Sequence, residues 1–328
     1  MSERATELAA VLAPIEDDLD RVRVVLDTEL DDESAAMRDM LGHVARFRGK
    51  QLRAAMVLLC GRAAGNFGDE HPQVAAVIEL IHLATLVHDD VLDGASVRRR
   101  VASVNVRWDN QTAVLLGDWL YARAFALSTR LSSRLVSERL AHTTQVICRG
   151  EIEQASHRYD FEQSREGYEA IAGAKTAALY AAACELGALY PEGDPHLAGE
   201  LGRFGYEVGL AFQIVDDVLD LVGSEDEVGK SVGTDVADGK VTLPVLHTYA
   251  AADVTTRAAI RDAYTLDGVE DRAARLRASC DLGPGIEFAQ ARAEELTRSA
   301  LGRLGALPDP AIRESLTRAG SFILQRRF

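Results

Sequence analysis

Apolar residues recur at three- and four-residue spacings along most of the chain, whereas the strict alternation typical of β-strands is absent. This periodicity predicts helices over residues 5–30, 51–64, 73–93, 112–127, 168–189, 201–222 and 243–251. The segments around Leu83 and Ile214 are apolar on nearly every side, which is typical of helices at the centre of a bundle. No long linker and no internal repeat interrupts the pattern. We therefore expect one all-α domain over residues 1–328, built as a helical bundle.

Two of these central helices are predicted to end in the same acidic sequence. Residues 89–93 and 216–220 both read DDVLD. In a helix, the first and last aspartates of each copy are four residues apart and share a face. Gly94 and Gly223 follow closely, so both copies are expected near helix C-termini.

Several carboxylates at a helix C-terminus require a compensating charge. That end is the negative pole of the helix dipole, and crowded carboxylates take up protons unless cations lie nearby. Mg²⁺, which prefers oxygen ligands, suits such a cluster. A single acidic copy is more often a solvated helix end. Two copies that each close an apolar helix favour a metal site that also serves a phosphate group.

Candidate phosphate ligands surround both acidic copies. Arg98, Arg99 and Arg100 follow the first copy; alone they could be solvated charge, but a guanidinium beside a metal site matches phosphate oxygens. The other candidates are Lys50 and Arg53 after Gly49, Lys175 and Thr176 in an Ala-rich helix, Gln213 one turn before Asp216, and Lys230 and Lys240 beyond the second copy. These residues predict a diphosphate site, and the apolar helices predict a hydrocarbon tail. A prenyl diphosphate has both parts.

The composition of the chain indicates which binding partners and which cellular compartment suit it. The net charge of −15 argues against nucleic acid and against an anionic membrane surface, because both attract basic proteins. The polar start of the chain does not resemble a secretory signal, and no apolar run reaches the ~20 residues that span a bilayer. Cysteines occur singly, as expected for free thiols in a reducing cytoplasm, at Cys60, Cys148, Cys184 and Cys280.

The chain resembles the trans-isoprenyl diphosphate synthase (polyprenyl synthetase) family over nearly its whole length. The motifs occur in the family's order: GKQLR at 49–53, HLATLVHDDVLD at 82–93, RR at 98–99, GDWLYARA at 117–124, GE at 150–151, KT at 175–176, FQIVDDVLD at 212–220, GK at 229–230 and DGKVTLP at 238–244. The resemblance implies the all-α isoprenoid synthase fold around a central elongated cavity, and a homodimer.

The resemblance also implies the ligands of three Mg²⁺ ions. Asp89 and Asp93 would hold two ions against an allylic diphosphate, with Asp90 in support. Asp216 would hold the third. Asp217 and Asp220 would act largely through water.

Substrate contacts follow from the same resemblance. Arg98, Lys175, Gln213, Lys230 and Lys240 would contact the allylic prenyl diphosphate, with Thr176 also a substrate ligand, and Gly49, Lys50, Arg53, His82 and Arg99 would bind isopentenyl diphosphate. His88 is expected to make a structural hydrogen bond. The chain departs from the family's usual residues at Gln51, Ala54, Arg100 and Ala102, none of which is a metal ligand.

The implied reaction is the condensation of isopentenyl diphosphate with an allylic diphosphate through a carbocation. Ala84 and Thr85, one turn before Asp89, are small and would let a growing tail pass along Ile81, Val77 and Val74. We therefore expect a hexaprenyl to decaprenyl product. A geranylgeranyl or farnesyl product is the alternative, with Tyr121 or Phe125 as a floor. A class I terpene cyclase and a non-catalytic partner subunit fit less well, because both acidic copies and the isopentenyl residues are present.

Overall fold

The computed structural model describes residues 9–223 and 232–324, which form helices joined by short loops. The helices of the first half are α1 (Glu16–Glu29), α2 (Ala35–Val44), α3 (Leu52–Ala64), α4 (His71–Leu92), α5 (Val104–Arg107), α6 (Asn110–Thr129) and α7 (Leu135–Ser156). Short 3-10 turns cover Ala13–Ile15 and Ala45–Phe47. Between α4 and α5, strand β1 (Val97–Arg98) pairs antiparallel with β2 (Val101–Ala102).

The second half continues the helical pattern. Its elements are α8 (Arg165–Ala172), a π-helical turn (Gly173–Ala177), α9 (Ala178–Leu189), α10 (Pro195–Val222), α11 (Thr234–Ala237), α12 (Leu243–Ala251), α13 (Val254–Thr265), α14 (Arg272–Ser279), α15 (Gly283–Arg303), a 3-10 turn (Leu304–Ala306) and α16 (Pro310–Leu324). The predicted all-α class is confirmed.

Local signals explain where several helices begin. The side chains of Asp109, Ser164, Asp194, Asp253 and Asp271 each accept a hydrogen bond from a backbone N–H in the first turn of α6, α8, α10, α13 and α14, respectively. The single helix predicted over 5–30 is wrong in the described part, because Pro14 lies in a 3-10 turn before α1 begins. Proline cannot continue the hydrogen bonding of an α-helix interior.

Helices α4 and α10 lie at the centre, as their apolar character predicted. α4 packs against α3 and α6, and α10 packs against α9 and α15. Two clusters of buried side chains result, and α10 contributes to both: Phe204 lies in the first, and Ile214 lies in the second. One domain over residues 1–328 stays a prediction. Within the described ranges, no helix combines the length and apolarity needed to cross a bilayer.

Glycine allows α3 and α9 to approach each other closely. A Cβ atom at Gly187 would lie 2.2 Å from the carbonyl oxygen of Val57, which is shorter than any real contact. By contrast, nothing lies within 4 Å of a Cβ built on Gly199 in α10. The first glycine is therefore required by packing and the second is not.

We predict that Gly187→Ala lowers the free energy of unfolding by about 1–3 kcal/mol, because the two helices must separate to admit the methyl group. The matched control Gly199→Ala should raise stability by about 0.5–1 kcal/mol, since alanine favours a helix interior. Denaturant unfolding followed by circular dichroism measures both changes. Equal stability of Gly187→Ala and the natural protein would contradict the packing argument.

Candidate active site

A cavity of about 550 Å³ lies between α3, α4, α7, α9 and α10. The predicted site residues that line it are Gly49, Lys50, Arg53, His82, Thr85, Asp89, Asp93, Arg98, Arg99, Lys175, Thr176, Gln213, Asp216, Asp217 and Lys240. Asp90, Asp220 and Ala84 are buried and are not part of this wall. Lys230 falls outside the described residues. The fold therefore brings together side chains from distant parts of the sequence.

The first acidic copy closes α4, as predicted. Asp89 and Asp93 share the face of α4 that lines the cavity, and Asp93 is the C-cap residue. Asp90 points the other way and is completely buried. One of its carboxylate oxygens accepts hydrogen bonds from Nε of Arg98 at 2.9 Å and from its NH2 group at 2.5 Å. Asp90 thus holds Arg98 at the cavity wall.

A two-residue hairpin presents the next arginine. Arg99 and Arg100 form the loop between β1 and β2, and both adopt positive φ angles of 50° and 66°. Two left-handed residues are what a tight hairpin of type I′ requires. The guanidinium of Arg99 packs directly on Gly49, where a Cβ atom would lie only 1.9 Å from it. Gly49 is therefore needed to let Arg99 reach the cavity.

An ordered cluster surrounds Arg53 in the same corner. Its guanidinium lies 3.0 Å from Nε2 of His82 and stacks 4.3 Å from the ring centroid of Tyr180. Burial, together with the charges of Arg53, Arg99 and Arg98, holds the pKa of His82 well below its usual range. His82 is therefore neutral, and its ring nitrogen accepts a hydrogen bond from Arg53.

The π-helical turn Gly173–Ala177 carries Lys175 and Thr176 into the cavity wall. α7 approaches this turn at Gly150, where a Cβ atom would lie 2.7 Å from Cβ of Ala174. The Lys175 ammonium lies 2.9 Å from a carboxylate oxygen of Glu151 and also donates to Gln154. Turns of this kind are frequent at functional sites.

The second acidic copy lies in the last turns of α10, as predicted. Asp216 and Asp217 line the cavity. Asp220 is buried instead, and its carboxylate accepts hydrogen bonds from the hydroxyl of Thr234 at 2.9 Å and from the backbone N–H of Asp235 at 3.0 Å. Asp220 therefore anchors α11 beside the site.

Lys240 links the two acidic regions. Its ammonium donates to Asp93 at 2.8 Å and lies 3.2 Å from Asp238 and 3.7 Å from Asp235. Although burial opposes the charged form, Asp235, Asp93 and Asp238 together raise the pKa of Lys240. The lysine is thus a permanent cation beside the first acidic copy.

The donor chemistry fits a hard divalent cation. Burial, together with the neighbouring charge of Glu151, raises the pKa of Asp89 to about 7, so a cation beside this carboxylate would favour its ionised form. A divalent cation with oxygen ligands suits such a carboxylate. Among residues 9–223 and 232–324, no three Asp, Glu, His or Cys side chains already form a metal-binding group.

The predicted chain-length residues differ in position. Thr85 lines the cavity, whereas Ala84 is completely buried. Ile81, Val77 and Val74, along which an open path was predicted, are fully buried in the core as well. The cavity is lined by apolar side chains of Leu86 in α4 and, from other helices, of Ile147, Leu179 and Phe212. The roles of Ala84 and Thr85 in setting product length stay predictions.

His88 makes the structural hydrogen bond that was predicted for it. Its Nε2 atom lies 3.0 Å from the backbone carbonyl oxygen of Val114 in α6, and Gly117 leaves room for the ring. Sequence reasoning missed several polar residues of the cavity wall, namely Glu79, Glu151, Gln154, Asp235 and Thr242. Glu79 could have been found, because it shares a helix face with His82, Leu86 and Asp89.

Known proteins share this architecture. The crystal structure of a polyprenyl synthase from Caulobacter crescentus CB15, complexed with calcium and isoprenyl diphosphate, matches with a TM-score of 0.93 and 32% identity over 98% of each chain. Heptaprenyl diphosphate synthase component 2 of Geobacillus stearothermophilus is 36% identical over 92% of this chain and 93% of its own length. Octaprenyl diphosphate synthase of Escherichia coli K12 is 32% identical over 99% of this chain and 98% of its own length.

The fold and the paired acidic motifs thus define a helical isoprenoid synthase. The family model described as polyprenyl synthetase matches residues 34–278, and the chain belongs to this family. The predicted family, the isoprenoid synthase fold and the trans-polyprenyl diphosphate synthase activity are confirmed.

The hairpin loop yields a stability prediction. Positive φ costs a residue other than glycine about 1–2 kcal/mol, and Arg100 is exposed at the loop. Arg100→Gly should therefore raise the free energy of unfolding by about 0.5–1 kcal/mol in chemical denaturation, the gain being reduced by the freedom of glycine in the unfolded chain. Arg99→Gly relieves the same strain but removes a cation from the cavity, so it alone should weaken the binding of inorganic diphosphate. A destabilised Arg100→Gly variant would refute the strain argument.

Proposed function

We propose that this cavity condenses isopentenyl diphosphate with an allylic diphosphate and extends it to a trans-polyprenyl diphosphate. The observation that carries the proposal is the convergence of both acidic copies and two groups of cations on one cavity, with apolar side chains beside them. Metal-supported carboxylates and cations suit diphosphate, and apolar walls suit a prenyl tail.

The cations divide into two groups that suit two diphosphates. Lys175 and Lys240 contact carboxylates at the acidic side, and Asp90 fixes Arg98 there. These residues, with Thr176 and Gln213, form the proposed allylic subsite. The proposed isopentenyl subsite is the opposite corner, formed by Gly49, Lys50, Arg53, His82 and Arg99.

We assign Asp89, Asp93 and Asp216 as the ligands of Mg²⁺, with three ions in the loaded site. The crystal structure of the Caulobacter crescentus polyprenyl synthase is complexed with calcium and isoprenyl diphosphate, which supports a divalent ion in this fold. When bound there, Mg²⁺ supplies positive charge that stabilises the departing diphosphate. Asp90, Asp217 and Asp220 support the cluster through their contacts with Arg98, Gln213 and Thr234.

The reaction then follows from the positions of the side chains. Lys175, Arg98 and Lys240 donate to the oxygens of the allylic diphosphate as its C–O bond breaks and leaves an allylic carbocation. The double bond of isopentenyl diphosphate, held by Lys50, Arg53 and Arg99, attacks this carbon and forms the new C–C bond. Loss of one proton to the released diphosphate restores a double bond. Leu86, Ile147, Leu179 and Phe212 keep water away from the cation.

The product is of medium to long chain, from hexaprenyl to decaprenyl. Relatives of nearly equal length carry the names heptaprenyl and octaprenyl diphosphate synthase, which supports this range over a farnesyl or geranylgeranyl product. The small side chain of Thr85 at the cavity wall agrees with passage of a tail.

We further propose a cytoplasmic homodimer. Exposed apolar side chains on neighbouring helices, Val114 and Leu115 in α6 and Ile152 in α7, support a subunit contact. The name of the Geobacillus relative, a component 2, makes a second kind of subunit the alternative. The free cysteines agree with a reducing compartment.

Metal dependence tests the function directly. Asp89→Ala and Asp216→Ala should each lower turnover of isopentenyl and farnesyl diphosphate by at least about 100-fold, because each removes a ligand of the charge that stabilises the leaving group. The exposed Asp262→Ala in α13 is the control and should retain activity. Incorporation of labelled isopentenyl diphosphate measures the rates. Full activity of either cavity variant, or of the natural protein in excess chelator, would refute the assignment.

Product length tests the tail path. Thr85→Phe places a ring in the cavity wall about one helical turn, ~5 Å, below Asp89, so it should shorten the dominant product. Thr255→Phe, exposed on α13, should leave the product unchanged. Chromatography of products made from farnesyl diphosphate and excess isopentenyl diphosphate gives the answer. A dominant farnesyl or geranylgeranyl product from the natural protein would contradict the proposed range.

A further inference from the structure

Asp217 is held by two donors, although it follows Asp216 directly in α10. One carboxylate oxygen accepts a hydrogen bond from Nε2 of Gln213 at 2.6 Å, and the other accepts from the hydroxyl of Tyr168 at 2.5 Å. Asp217 is only 6% exposed and Tyr168 only 7%. Both oxygens of this carboxylate are therefore engaged with protein donors, even though the residue lies at the cavity wall.

The donor and the acceptor of each hydrogen bond in this cluster can be assigned. An ionised carboxylate only accepts, so the phenol of Tyr168 and the amide nitrogen of Gln213 are the donors. The amide oxygen of Gln213 accepts in turn from the hydroxyl of Thr176 at 2.6 Å, which fixes the orientation of the amide. A chain of hydrogen bonds thus runs from Thr176 through Gln213 to one oxygen of Asp217, and Tyr168 donates to the other oxygen.

Tyr168 belongs to α8, which runs directly into the π-helical turn that carries Lys175 and Thr176. Its hydroxyl therefore ties the helix that presents two substrate ligands to the helix that ends in the second acidic copy. Successive helix residues point about 100° apart. Although both residues line the cavity, the hold on Asp217 therefore fixes the direction in which its neighbour Asp216 projects.

We propose that Tyr168 is a positioning residue for metal binding, and that it acts through Asp217 to set Asp216 as the carboxylate that meets the metal and the allylic diphosphate. The inference rests on the proposed function and adds to it a residue outside every motif that marks the family in this sequence. Tyr168 itself does not line this cavity.

The test is Tyr168→Phe, which keeps the ring and removes only the donor. The Mg²⁺ concentration for half-maximal turnover should rise about tenfold, because a buried carboxylate oxygen loses a charge-assisted hydrogen bond. The KM for isopentenyl diphosphate should change less than about twofold, since that subsite lies elsewhere. Tyr249→Phe is the matched control: Tyr249 is buried in the same apolar cluster, and its hydroxyl bonds Arg261 away from the cavity.

A second readout does not need turnover. Mg²⁺-dependent binding of inorganic diphosphate, measured by calorimetry, should weaken about tenfold in Tyr168→Phe and stay unchanged in Tyr249→Phe. If the natural protein binds diphosphate in this way but transfers no prenyl group, the proposed function is refuted. The calorimetric comparison of the variants still tests the role of Tyr168 in that case.

A double-mutant cycle with Asp217→Asn decides whether Tyr168 acts through Asp217. The two substitutions break the same contact, so their combined effect should be no larger than that of Asp217→Asn alone. Multiplying effects would overturn the inference. An unchanged Mg²⁺ requirement in Tyr168→Phe, or a loss of stability shared with Tyr249→Phe and no change in Mg²⁺ response, would overturn it as well.

Discussion

Electrostatic compensation at two helix ends is the constraint on which this structure depends. α4 and α10 both end in aspartates beside one cavity, and each end already carries the negative pole of its own helix. Arg98, Lys175 and Lys240 lie against these acids or their neighbours, and each is held by carboxylates. These cations compensate part of the negative charge at the two helix ends, and the proposed divalent ion would add to that compensation.

Two glycines and a tight hairpin allow the cations to reach the acidic helix ends. Gly49 admits the guanidinium of Arg99, and Gly150 admits the π-helical turn that carries Lys175. In both places a methyl group would displace a cation from the cavity, so these glycines serve the site as directly as the charged residues do. The left-handed backbone of the β1–β2 hairpin serves the same purpose, because it forms the two-residue turn that presents the side chain of Arg99 to the cavity.

Sequence periodicity and motifs predicted the features that depend on residues close together in the chain. The central helices α4 and α10, the acidic copies at their C-termini and the structural hydrogen bond of His88 were all predicted, because each depends on residues within a few turns or on a family motif. The support of Lys175 by Glu151 and of Asp217 by Tyr168 was not, since these partners are separated by many residues and meet only through packing. The path predicted along Ile81 and Val77 stays a prediction, because periodicity identifies a buried face but not which neighbour covers it.

The contact between Lys240 and Asp93 has a consequence for the reaction cycle. An ammonium tethered next to the carboxylate is present at a fixed local concentration, whatever the dilution of the surrounding solution. A second cation that approaches the same oxygen of Asp93 has to displace this ammonium. Lys240 is thus a built-in counter-ion of the first acidic copy.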